Sequence, residues 1–493
     1  SLALFSATLA LHSRHRDFAW FYHPDEPGKV EQVLTGKWNF HHPMLLLTAS
    51  KLAMDATGVS REPQAVVETG RAVAATFTAL AVVALSLLAY VWRGWPAAIA
   101  AGGALMVHHQ LFELSHYMKE DTALLFGMAL VWLALLLFER APSALRAAAL
   151  GAACALAISG KYVGAITLLS AGPILWRAGG KARGAAFVLA LLAVLVAVNW
   201  PVISDADTFR ASLSRETSFV VAGQKMTTQR VPHAEYWTSF RENTTPVTWV
   251  LLLVFLAARW RDRRSITPAR WHIIAFPFIF ALALSFSPKA NDRYFLPAAA
   301  GCTLLAGLGV VDVARWFGRR WVGWSVTGLF IAGQIFSLPP PHFDWRTFDQ
   351  YWQAFQRDDS RELLAWCRSE LPPEAVIAKD SRIWLPDPAK PDAVPVGAIP
   401  QKVLPAKFAA DLGTLDELRA KGVTHVAVSE SDYGRFFRKT LQPNAGQEGD
   451  YQRRKAFYES LLREGELLFE RERGTVIYLH PGIRVYWIGR AAP

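Results

Sequence analysis

Two adjacent carboxylates are the first residues in this chain whose types and spacing suggest chemistry. Asp25 and Glu26 stand in His23-Pro24-Asp25-Glu26-Pro27, shortly after an apolar segment. That places them near a bilayer surface, where ionisable groups are costly and seldom idle. One carboxylate can take a proton from a hydroxyl nucleophile while its neighbour, pointing elsewhere, positions a partner. Two solvated loop acids beside a turn-forming proline are the plain alternative. The same stretch continues to Lys37-Trp38-Asn39-Phe40-His41-His42-Pro43 and apolar residues 44–47, which read as a flat amphipathic contact with the membrane. His41 and His42 are of metal-ligating type, but adjacent side chains diverge, so surface histidines are the stronger reading.

Further along come His116-Tyr117-Met118-Lys119-Glu120-Asp121, Ser159-Gly160-Lys161-Tyr162, and Lys289 with Asp292, Arg293 and Tyr294. Glu120 and Asp121 open a helix, where acids favour the positive end of the dipole. Lys161 is a lone cation in an apolar block; it either snorkels to water or binds an anion. Arginine suits phosphate because its fork donates two parallel hydrogen bonds, although Arg-Tyr pairs also anchor helix ends at interfaces. Taken together, acids and cations gather on one membrane face. That pattern suits a substrate with a lipid tail and an anionic head, the acids serving a nucleophile and the cations holding a phosphate leaving group.

The elements that position these residues are read from composition. Of 493 residues, 52% are hydrophobic and 19% charged, against about 25% charged in ordinary soluble domains. Disorder is excluded, and so is one large soluble domain. The formal charge of +11 would suit a nucleic-acid binder. Here, however, the cations cluster between apolar blocks, as membrane topology requires, so no nucleic-acid partner is expected. The three cysteines are scattered, with no disulfide framework and no CxxC spacing. The opening stretch 2–11 is too short to span and lacks a signal-peptide cleavage site, so it is expected to be the end of a helix that begins earlier.

Apolar blocks at 72–92, 96–114, 122–138, 147–176, 184–204, 244–258, 271–288, 294–312 and 321–339 are the candidate spans. The basic stretch Arg259, Arg261, Arg263, Arg264, Arg270 is placed in the cytoplasm, together with Arg140, Arg146, Arg177, Lys181, Arg183, Arg315, Arg319 and Arg320. Both flanks of 147–176 then share a side, so that block is read as a tight hairpin with Lys161 near its tip. The count becomes about eleven crossings. Residues 1–341 form the membrane domain, with outer loops 13–65 and 205–243. Residues 342–493 form an extracytoplasmic α/β domain, with helices near 358–370 and 451–463 and strands near 375–379, 424–429, 466–470 and 475–479. A transporter, or a membrane-anchored envelope sensor or assembly protein, is the competing class. Transporters usually carry inverted repeats and deep charges, and neither is evident here.

The order of motifs resembles the GT-C glycosyltransferases, nearest to the family 39 branch of protein O-mannosyltransferases and aminoarabinose transferases. The matching pieces are HPDEPGKVEQVLTGKWNFHHPMLL at 23–46, MKEDTALLFG at 118–127, SGKYVG at 159–164 and NDRYFLPAAAG at 291–301, and the tail is similar in style. The resemblance implies a polytopic GT-C fold and inverting transfer of a sugar from a polyprenyl-phosphate donor to a lipid, glycan or protein acceptor. It implies an active site on the outer face of a plasma membrane, most simply a bacterial inner membrane. By carry-over, Asp25, Glu26 and Asp121 are the catalytic carboxylates, and Lys161, Arg293 and Tyr294 contact the donor phosphate. Glu120, His42 and His233 are further candidate donor or acceptor contacts. No cofactor is required by this scheme, and a divalent metal, although compatible with carboxylates, is not called for. There is no WWD-type motif of oligosaccharyltransferases and no recognisable β-trefoil, which disfavours asparagine-linked transfer and weakens the case for a protein acceptor.

Overall fold

A computed structural model describes residues 1–222, 228–230, 240–286, 292–336, 345–385, 399–439 and 441–489. The chain divides into two compact units. One comprises Ser1–Asp17, Asp25–Gly223 and Pro232–Asp349; the other comprises Phe18–Pro24, Gln224–Val231 and Gln350–Pro493.

The first unit is helical. Among the described residues, five helices are long and apolar enough to cross a membrane: Pro63–Arg93, Asp121–Arg140, Lys181–Asn199, Pro268–Ser285 and Asp292–Phe317. This corrects the expected count of about eleven. Apolar composition alone does not show where a helix breaks. The block read as a hairpin holds Ala144–Gly160 of 17 residues, a 3-10 turn at Tyr162–Ile166 and Thr167–Ala178 of 12 residues, so neither arm has spanning length. The block at 96–114 splits at His108 into Trp95–Met106 and His109–Ser115. The blocks ending near 258 and 339 hold the 16-residue helices Pro246–Arg261 and Arg320–Ile335. Stretches read as long outer loops contain helices of their own, Glu26–Thr35, Leu45–Thr57 and Ala206–Ala222.

Close helix contact is built on glycine, as membrane helices require when packing rather than water drives association. A Cβ on Gly160 would lie 2.6 Å from the Leu124 backbone nitrogen, and one on Gly127 would meet the Ala157 backbone. These two glycines press Ala144–Gly160 against Asp121–Arg140. The residue after Gly160 is Lys161, and the first residue of the facing helix is Asp121, so this packing also sets the site.

The second unit is α/β. Its five-stranded sheet runs Lys402–Pro405, Val376–Lys379, His425–Ser429, Pro481–Trp487, Glu466–Arg473; the first three strands are parallel and the last two pair antiparallel. Alternate residues enter opposite cores, as strand pleating demands. Ala378, Val426 and Val428 join Phe408, Leu418, Phe436 and Leu461 on one face. Ile377, Ala427 and Val485 join Leu363, Cys367 and Ile383 on the other. The strand expected at 475–479 is not one. Leu479 N and His480 N both donate to Val476 O, at 3.0 and 2.8 Å, which curls the segment into a turn. The strand follows at Pro481–Trp487, because the antiparallel return needs the Val476–Leu479 side chains as turn filling, and both are buried there. Strand propensity at 475–479 thus yields to tertiary context.

Glycine packing gives a direct test. Gly160→Val is expected to destabilise the helical unit by about 1–3 kcal/mol, read as a lower Tm of the detergent-purified protein. Gly172→Val, with open space around its Cβ position, leaves Tm unchanged.

Candidate functional site

Asp25 is the residue before the helix Glu26–Thr35, which carries proline in its first turn. Its carboxylate makes no capping bond to that helix and is about two-fifths exposed. It pairs with Lys119 and stands 3.6 Å from Arg293 Nη1. Asp121 begins its helix, which favours an acid there. Its Oδ1 accepts from Lys161 Nζ at 2.5 Å, and its Oδ2 lies 4.0 Å from Arg293 Nε. Lys161 is extended at the break between Gly160 and the 3-10 turn, its backbone N–H still donating to Ala157 O at 3.2 Å. The Tyr294 ring lies 4.7 Å from Lys161 Nζ and 5.5 Å from the Arg293 guanidinium, so it supports both cations. Asp25, Asp121, Lys161, Arg293 and Tyr294 are therefore brought together.

Glu26 goes elsewhere. It is fully buried against Arg71, with Nη2–Oε2 at 2.6 Å and Nε–Oε1 at 2.9 Å, and accepts from Met118 N at 2.8 Å. Arg71 also donates to Arg16 O at 2.7 Å. Glu26 thus locks the first turn of its helix to the 118–121 segment. Glu120 pairs with Lys29 and lies 3.9 Å from His42 Nε2. Burial opposes charge on Glu120, but His42, Lys29 and Lys119 outweigh it and hold the carboxyl well below its usual range. Burial holds His42 down to about 4, which keeps its ring neutral at physiological pH. His233 and Lys289 lie outside the described residues.

Lys119, Lys29 and Arg71 belong to this charged group, and no role was assigned to them from sequence. Lys119 had a visible signal, a cation beside two acids in one short polar stretch. Arg71 had another, an arginine within an apolar helix, far from the helix end. Four carboxylates, Asp25, Glu26, Glu120 and Asp121, face five cations, Lys29, Arg71, Lys119, Lys161 and Arg293. The surplus is positive: Lys119 and Arg293 flank the half-buried Asp25, and Lys161 joins them through Asp121. Such an arrangement can hold an anion beside a base. Among the described residues no group of three or more His, Cys, Asp or Glu is placed to hold a metal ion.

The fold defines the class: a multi-pass membrane protein with a GT-C-like glycosyltransferase fold. The family model for dolichyl-phosphate-mannose-protein mannosyltransferase matches residues 51–205. Among solved structures, ArnT from Cupriavidus metallidurans bound to undecaprenyl phosphate has the same fold, with a TM-score of 0.50 at 14% identity, covering 100% of this chain and 97% of that one. The archaeal oligosaccharyltransferase AglB from Archaeoglobus fulgidus, in complex with an inhibitory peptide and a dolichol-phosphate, matches with a TM-score of 0.42 at 10% identity over 88% of this chain and 66% of that one. The S. cerevisiae protein O-mannosyltransferase Pmt1-Pmt2 complex matches with 0.34 at 18% identity over 49% and 36%. No curated protein matches the sequence.

Burial first, and then the nearby Arg293 charge, bring Lys119 down to about 7 from the ordinary lysine value of 10.5, against the pull of Asp25. Below about 7 the folded protein carries this charge, and it is lost as pH rises through that value. Between there and 10.5 the unfolded chain holds a proton that the folded chain lacks, so this group's penalty on folding relaxes as pH rises. An anion bound beside Lys119 restores the charge. Binding of a short-chain prenyl phosphate at about pH 8 is therefore expected to take up a proton, seen by calorimetry in buffers of different ionisation enthalpy. Lys119→Arg, always charged, abolishes the uptake.

Proposed function

We propose that this protein transfers a sugar from a polyprenyl-phosphate donor to an acceptor at the outer face of a plasma membrane, with inversion at the anomeric carbon. The observation that carries the reading is the gathering of half-buried Asp25 with Lys119, Arg293, Asp121 and Lys161 in one linked cluster. The undecaprenyl phosphate bound by ArnT supports the donor class. A bacterial inner membrane, with the site and the C-terminal α/β unit on its outer side, fits the cationic loops assigned to the cytoplasm.

The donor phosphate sits among Lys161, Arg293 and Lys119, drawing Lys119 and Arg293 away from Asp25. Asp121 keeps Lys161 aimed at it, and Tyr294 backs the two cations. An apolar cavity of about 270 Å³, lined by Phe240, Trp249, Phe278, Leu282 and Phe295, starts two residues from Arg293 and takes part of the prenyl tail. The acceptor hydroxyl enters over Asp25 and gives it its proton. Its oxygen bonds the anomeric carbon on the face opposite the phosphate, through an oxocarbenium-like state, while the bond from that carbon to the phosphate oxygen breaks. The bonding pair leaves with the phosphate. That leaving group is already ionised and stabilised by three cations, so no general acid is needed. Glu26 keeps Asp25 in register through Arg71; Glu120 does the same for Lys29 and His42. The cations are side chains, and the scheme routes no step through a metal or other cofactor.

Asp25→Asn is expected to lower release of prenyl phosphate from a panel of short-chain prenyl-phosphate sugars by about 10²–10⁴-fold, with Tm and elution profile unchanged. Retained turnover would remove Asp25 from the mechanism. Arg293→Ala is expected to raise the KM for donor more than the KM for acceptor; equal effects would argue against a phosphate contact.

A further inference from the structure

The helices that bring the site's charges together carry a second, different set of charges at their other ends. Pro63–Arg93 ends in Arg93, Asp121–Arg140 in Arg140, and Asp292–Phe317 with Arg315 in its last turn; Arg259 and Arg270 come from the flanking helices Pro246–Arg261 and Pro268–Ser285. These arginines converge. Arg93 Nη2 lies 3.3 Å and Arg259 Nη2 3.1 Å from the same oxygen of Asp312, and Arg259 Nη1 lies 3.5 Å from Asp262. Arg270 lies 5.6 Å over the Trp92 ring and Arg259 5.8 Å over Phe255, and these two rings meet edge to face at 6.0 Å. Arg315 and Arg140 stand close enough to act electrostatically on Arg93 and Arg270. Glu139 accepts from the Ala269 amide at 2.9 Å through one oxygen and also acts electrostatically on Arg270.

Positive charge at helix ends is expected on the cytoplasmic side, but there it normally points into water. Here the Arg93 side chain is 7% exposed and Asp312 8%. Arg259 Nε, Arg270 Nε and the Thr267 hydroxyl are buried and make no hydrogen bond among the described residues, and Arg93 Nη2 has only its ion pair with Asp312. Thr267 is the residue before the 18-residue helix Pro268–Ser285, whose positive dipole end adds to the arginine charge. Five arginines face three carboxylates, Asp312, Asp262 and Glu139. Buried donors of one sign left without acceptors are costly, and a bound anion satisfies them.

We propose that this cluster binds the phosphate of an anionic phospholipid headgroup, in the leaflet opposite the candidate site. The phosphate oxygens accept from Arg93, Arg259, Arg270 and Thr267, and Arg140 and Arg315 form the rim. A lipid is favoured over a free phosphate because exposed tryptophans adjoin the arginines in sequence. Trp260, Trp271 and Trp316 directly follow Arg259, Arg270 and Arg315, and Trp95 follows Arg93 by two residues; they are 67%, 40%, 80% and 62% exposed. Indole rings in that position mark the headgroup level of a bilayer. Basic pockets between helices on that side suit acidic headgroups.

The test titrates the full-length detergent-purified protein and reads Tm, because a ligand of the folded state raises it saturably. The probes are dioctanoyl phosphatidylglycerol, dioctanoyl phosphatidylcholine and inorganic phosphate. The expected result is a rise with phosphatidylglycerol only, with Arg270→Gln and Arg315→Gln each requiring on the order of tenfold more of it. Both variants alter residues on the rim or over Trp92, so folding is retained, and prenyl-phosphate-sugar turnover in detergent is unchanged. Arg293→Ala keeps the full response, which separates this site from the donor site. An equal rise with inorganic phosphate alone overturns the lipid assignment. No response, an unaltered response in both Arg270→Gln and Arg315→Gln, or a response lost in Arg293→Ala but not in Arg270→Gln overturns the site itself.

Discussion

Lys161 reaches Asp121 from the helix break after Gly160, and the geometry of the candidate site hangs on that buried ion pair. Taking either charge out of water alone costs several kcal/mol, so each is tolerable only while the other is in place. The pair therefore demands that the end of one helix and the start of another stay within hydrogen-bond distance. Glycine at 160 permits it, because only a residue without a side chain lets the two backbones approach that closely. Once Lys161 and Asp121 are fixed, the Tyr294 ring and the Arg293 fork have a charged surface to settle against.

Asp25 and Glu26 show how neighbouring residues of the same chemistry reach opposite fates. The backbone turns into a helix between them, so one side chain is directed into the packed interior and the other toward the cluster. Glu26 is satisfied by Arg71 and a backbone amide, which ties it into the packed interior. Asp25 keeps part of its surface, with partners that an incoming anion can draw away. A base for a group-transfer step needs that combination of access and nearby positive charge.

The two ends of the long helices carry different electrostatic designs. At one end acids and bases are interleaved and nearly balanced, which suits a reaction in which charge moves. At the other, arginines dominate and alternate with tryptophan, which suits a standing contact with anionic lipid. The same apolar helix bodies separate them, so each end can be altered without reshaping the other.

Much of this was legible in the residues themselves. Asp25, Asp121, Lys161, Arg293 and Tyr294 stand out because a charged or polar group beside long apolar stretches is rare and expensive, and that signal is local. The capped helix Asp359–Glu370 and the strand His425–Ser429 are legible for a similar reason, since capping and alternation are written within a few consecutive residues. The number of membrane-length helices was not legible, because hydropathy sums composition over a window and is blind to a break at His108 or Gly160. Neither was the turn at Val476–Leu479, whose residues favour a strand until the sheet's return path claims them. The divergence of Glu26 from Asp25, and the entry of Lys119, Lys29 and Arg71 into the cluster, depend on residues tens of positions apart. Ion pairing and packing act through space and not along the chain, so only the tertiary structure could decide which charges meet.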